Sequence, residues 1–161
     1  MKKLYFLLIG VAFSFMASAQ CSDIFFSEYI EGSSNNKAVE IYNPTSNTID
    51  LSNYVFYRFN NGGTTASDSF KTSAMLAPNE VYVIGNPTAI SGIKDQSDTT
   101  HTLTFYNGDD ALCIVKISTG DTLDIFGIIG NDPGTNWPVG TGATSEFTLV
   151  RKNTVKAGQK D

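Results

Sequence analysis

The sequence predicts an all-β domain, a sandwich of about nine short strands, preceded by a cleavable leader. Three observations carry this. Short runs rich in aromatic and β-branched residues recur along the chain, turn residues separate them at regular spacing, and helical periodicity is almost absent. The chain of 161 residues is long enough for one domain, and no linker or internal repeat divides it.

The leader occupies residues 1–19. Lys2 and Lys3 are followed by an uncharged apolar run from Leu4 to Met16 and by Ala17-Ser18-Ala19, the small residues read by signal peptidase. That run is too short to anchor stably in a bilayer core of roughly 30 Å. Residues 20–161 are then the folded domain, secreted or held in the periplasm or at the cell surface. Gln20 before Cys21, and Ser18 where an aliphatic residue would stand, argue against lipidation of Cys21. No membrane span is expected elsewhere.

Strand-like residues first appear from Ile24 to Ile30, and Gly32 to Asn36 turn the chain into Val39-Glu40-Ile41-Tyr42, which Asn43-Pro44 ends. A loop leads to Tyr54–Phe59, with Val55, Tyr57 and Phe59 on one side and Phe56 and Arg58 on the other. Asn60-Asn61-Gly62-Gly63 marks a turn, Ser69 to Thr72 a weaker strand, and Val81 to Gly85 a stronger one. A short helical turn is expected around Ala89 to Lys94. Leu103 to Tyr106 reads as a strand entering an Asn107-Gly108 hairpin, with Ala111 to Ile117 returning. Leu123 to Ile128 and Phe147 to Val150 complete the set.

Composition narrows function. The formal charge is −5 at pH 7, and losing the leader lysines makes the domain more acidic still, so it should not bind nucleic acid by itself. Arg151, Lys152, Lys156 and Lys160 are the one local positive bias and read as solvating the C-terminal segment. His101 is the single histidine, no Gly-x-Ser-x-Gly elbow occurs, and no pair of carboxylates is selected by spacing. A non-enzyme without a cofactor is the expectation.

Several residues still invite a site. Glu31, Asn36, Asp109 and Asp110 offer the oxygen ligands that calcium takes, although turn-forming and capping roles explain the same residues. Glu28 and Glu40 flank the first turn and could meet a cation or partner, or pair with Lys37 or Arg58. Trp137, between Pro133 and Pro138, is either a platform for a sugar or partner protein or a lid folded over the sandwich end. Cys21 and Cys113 could form a disulfide in an oxidising compartment; otherwise Cys113 is a small buried residue.

Four segments together resemble a lamin-tail domain, the immunoglobulin-like module of nuclear lamins that also occurs in secreted bacterial proteins. They are Phe26-Ser27-Glu28-Tyr29-Ile30-Glu31-Gly32-Ser33-Ser34-Asn35-Asn36-Lys37 with Glu40-Ile41-Tyr42-Asn43; Leu51-Ser52-Asn53-Tyr54; Tyr106-Asn107-Gly108-Asp109-Asp110-Ala111 with Val115-Lys116; and Asp124-Ile125-Phe126-Gly127 onward to Leu149-Val150-Arg151-Lys152. The pattern is closer to the bacterial branch. The resemblance implies an immunoglobulin-like fold and a non-catalytic interaction module, with a protein or an extracellular polysaccharide as partner. Two alternatives stay open: an accessory domain of a secreted, nuclease-like hydrolase, and a calcium-dependent carbohydrate-binding module.

Overall fold

The computed structural model describes residues 23–160. The leader and Cys21 lie outside these residues. Two sheets face each other. The larger contains β1 (Phe25–Glu31), β2 (Lys37–Tyr42), β7 (Val81–Gly85), β8 (Thr99–Thr100) and β13 (Phe147–Val150), in the order β13-β1-β2-β7-β8. The smaller contains β4 (Tyr54–Phe59), β5 (Asp68–Phe70), β9 (Ala111–Lys116) and β10 (Thr122–Phe126), in the order β10-β9-β4-β5. Two minimal pairs, β3 (Ile49–Asp50) with β6 (Met75–Leu76) and β11 (Pro138–Val139) with β12 (Gly142–Ala143), trim the edges. This is the immunoglobulin-like sandwich that the strand pattern predicts.

β1 sets the register. Phe26 and Tyr29 both enter the core although they are three residues apart, which simple alternation forbids. A bulge between Phe26 and Glu28 absorbs the extra residue, Ser27. Phe26 then pairs with Ile41 and Tyr29 with Val39 on the inner face, while Glu28 stands opposite Glu40 on the outer one. Inside, Tyr29 stacks on Phe126 at 3.9 Å and on Tyr106 at 4.5 Å.

Two asparagines close strands in the same way. Asn43-Pro44-Thr45 follows β2 and Asn86-Pro87-Thr88 follows β7. In each, the asparagine Oδ1 accepts from the threonine amide and hydroxyl two residues on, and Nδ2 donates to distant carbonyls. Both asparagines are fully buried, and these bonds meet the cost of burying an amide.

One expectation needs correction. Leu103–Tyr106 is not a strand, and Asn107-Gly108 does not make a hairpin: a 3-10 turn spans Thr102–Thr104. His101 Nδ1 accepts from the Leu103 amide at 3.0 Å, and Thr104 Oγ1 donates to the His101 carbonyl at 2.7 Å. Leu103 and Tyr106 are three residues apart and both buried, a spacing that plugs the sandwich with one turn. β4 divides into the two sides that its alternation predicts. Its core-facing side is Tyr54, Phe56 and Arg58, because these residues share a face with Ile114 and Leu112 of β9. The expected helical turn is present, as α1 (Ser91–Lys94).

Candidate functional site: an acidic cleft on the outer sheet face

The outer face of the larger sheet carries a cross-strand row of Glu28, Glu40 and Val83, and a second of Ile30, Ala38 and Gly85. The segment around α1 lies across the second row. Gly85 permits this, since a Cβ there would collide with the Ser97 side chain and touch Ile93. Between the segment and the first row lies a cleft of about 180 Å³, walled by Ile30, Val83 and Ile93, with Gln96 at its rim.

The cleft floor is acidic. Directly opposite side chains in a sheet sit close, and like charges there are destabilising. Burial, and then the neighbouring Glu40 charge, push the Glu28 carboxyl above its ordinary range. The Ser27 hydroxyl donates to Glu40 Oε1 at 2.6 Å. Neither carboxylate meets Lys37 or Arg58, and neither has an ion-pair partner among the described residues. Lys37 turns inward to Glu31 at 3.0 Å, and Arg58 lies 3.7 Å from Asp110.

The residues considered for calcium occupy the end of the sandwich where β1 stops. Glu31 is buried, pairs with Lys37 and accepts from the Glu146 amide. Lys37 also donates to the Tyr106 carbonyl at 2.6 Å. Asn36 Oδ1 accepts from the Ile90 amide at 3.1 Å. Asp110 accepts from the amides of Asn61 at 2.9 Å and Asn107 at 3.3 Å. Oxygens counted as ligands are thus turned to nitrogen donors of the fold. Among the described residues no group of three or more His, Cys, Asp or Glu is arranged to hold a metal ion. Asp109 differs: it is buried, and its Oδ1 has no hydrogen-bond partner among the described residues.

The family model of the Lamin Tail Domain matches residues 17–130. The chain belongs to the lamin tail domain family. None of the curated proteins compared with it matches. The match ends before β13, so the likeness seen at Leu149 to Lys152 lies outside the matched span, although β13 is hydrogen-bonded along β1.

Trp137 also lies beyond the match. In this lamin tail domain it is half-buried and folded back, with its ring against Gly127. Gly127 is at φ +79°, where a side chain would be strained and would press on the indole. Cys113 is buried, and burial pushes its thiol up to about 11; its considered partner, Cys21, lies outside the described residues.

Sequence reasoning missed the role of Asp124. It points inward from β10, fully buried, and accepts from the amides of Phe26 at 2.8 Å and Gln159 at 2.7 Å. One terminal nitrogen of Arg151 donates to both its oxygens, at 3.0 and 2.9 Å. Burial raises the carboxyl, and Arg151 with the two amides pulls it back. The legible signal was an aspartate on the inward phase of an apolar strand.

Proposed function

We propose that this lamin tail domain is a non-catalytic interaction module of an exported protein, and that its Glu28–Glu40 cleft takes a basic side chain from a partner protein. The observation carrying this reading is the like-charged pair, held side by side on an outer sheet face with apolar walls. A lysine or arginine entering there would relieve the repulsion and lay its aliphatic stem on Ile30, Val83 and Ile93. The non-catalytic reading draws support from His101, whose Nδ1 is used to cap the 3-10 turn and whose ring packs 4.9 Å from that of Phe70.

The test is a titration of the isotopically labelled domain with short lysine- and arginine-containing peptides, alongside the same peptides with acetylated lysines. Amide shifts should cluster at Glu28, Glu40, Val83 and Ile93, and should vanish in Glu40→Gln. Shifts that persist in Glu40→Gln would sink the assignment. Export is checked separately by the intact mass of protein recovered outside the cytoplasm, which should lack residues 1–19.

A further inference from the structure

Beside the acidic cleft, a larger groove of about 630 Å³ opens where the chain leaves β13. Its volume falls within the roughly 300–1,000 Å³ of small-ligand sites. One wall is the outer face of the first two strands, where Phe25 and Tyr42 meet edge to face at 5.7 Å. The other is the segment 151–156. The fold thereby gathers Lys152 and Lys156, which the sequence alone assigns to solvation, around an aromatic ring and two amides.

Charge within this groove is unevenly committed. Asp124 balances Arg151, whose guanidinium lies 5.3 Å from the Phe25 ring centroid. The Lys152 ammonium has no acceptor among the described residues, and that of Lys156 reaches only the Asn153 carbonyl, at 3.1 Å. Glu40, on the opposite rim, is occupied by the Ser27 hydroxyl. Two ammonium groups are therefore left facing a groove in a protein whose net charge is −5. Tyr42 holds its hydroxyl on Asn79 Oδ1 at 3.1 Å, which fixes the ring beside the Asn79 amide.

We propose that this groove binds an acidic polysaccharide. The Tyr42 ring takes the C–H face of a sugar, the amides of Asn79 and Asn153 take its hydroxyls, and Lys152 and Lys156 take a carboxylate or sulfate. An acidic peptide would satisfy the lysines but make little use of the ring and the paired amides. A nucleic acid carries a phosphate at every residue, and the two lysine ammonium groups of this groove do not match such a continuous charge. The site rests on residues other than those of the cleft, apart from the shared Glu40.

The test titrates the labelled domain with tetragalacturonate, with cellotetraose as the neutral control and tetraglutamate as the acidic peptide control, each at low and high salt. Tetragalacturonate should shift Tyr42, Asn79, Lys152 and Lys156, and salt should weaken its binding. The double variant K152Q/K156Q should raise Kd about tenfold, and Tyr42→Ala several-fold, while Tyr42→Phe retains binding and reports an intact fold. Tetraglutamate binding as tightly, unaffected by Tyr42→Ala, would overturn the proposal in favour of an acidic-peptide site. Equal binding of cellotetraose would overturn the role of the lysines, and absence of shifts with all three probes would overturn the site. None of these readouts involves Glu28, Val83 or Ile93, so the cleft and the groove stand or fall separately.

Discussion

At the start of β1 the Phe26 amide joins Arg151 and Gln159 around Asp124, and that carboxylate receives four hydrogen bonds. At the far end of the same strand Glu31 has Lys37 and one amide, and the hydrogen bonding of buried polar groups there is incomplete. Asp109 Oδ1, Arg58 Nε and Trp137 Nε1 are buried without a hydrogen-bond partner among the described residues. The difference teaches that burial alone does not tell whether a charge holds the fold together. The donors gathered around it decide, since an unsatisfied buried group costs stability while a satisfied one contributes modestly.

Breaking the well-satisfied end should have the largest effect. Asp124→Ala strands Arg151 and the amides of Phe26 and Gln159, and should lower unfolding free energy by about 3 kcal/mol in urea melts. If Arg151→Met proves equally costly, the ion pair rather than the amides dominates. Lys37→Met leaves Glu31 with only the Glu146 amide and removes a donor to the Tyr106 carbonyl; about 2 kcal/mol is expected in the same assay. Gly127→Ala combines an unfavourable positive φ with pressure on Trp137, and should cost roughly 1–2 kcal/mol, with a change in tryptophan fluorescence.

The smallest effect has the opposite sign. Burial raises the Asp109 carboxyl above its ordinary range, and the nearby Asp132 adds to this. Between its unfolded and folded pKa values the native state holds the proton more tightly, so stability falls as pH rises through that window. Asp109→Asn removes the charge and should raise the melting temperature at neutral pH by the equivalent of up to about 1 kcal/mol. The advantage should close as pH falls below the ordinary carboxylate range, where both side chains are neutral. A variant no more stable than the parent at neutral pH would mean that Asp109 is already compensated.

Much of this architecture is legible in the residues. Runs such as Val39–Tyr42 and Ala111–Lys116 announce themselves by β-branched and aromatic content, and Gly32 to Asn36 by turn chemistry. Leu103–Tyr106 misleads because an apolar run before Asn-Gly has the local signature of a hairpin, while the demand to plug the sandwich end with Leu103 and Tyr106 is tertiary. In β4 alternation separates Phe56 and Arg58 from Val55, Tyr57 and Phe59 but does not say which side faces the core. Arg58 is drawn inward by Asp110 and the Phe105 carbonyl, and no rule of hydropathy foresees that pairing. Of the candidate residues, Glu28 and Glu40 share a cleft, whereas Glu31, Asn36 and Asp110 are engaged by donors far along the chain. The twin Asn-Pro-Thr triplets were visible in the sequence, but their meaning needed the buried carbonyls they reach.

The pairing of β1 with β13 has a consequence for how this domain is born. Glu31 and the Glu146 amide are 115 residues apart in sequence, and the Asp124 clasp waits for Arg151 and Gln159. As the chain is made, β1 can acquire β2 early, yet its other edge stays bare until residues 147–150 have emerged. Such a late-closing edge makes the arrival of β13 the step that completes the larger sheet.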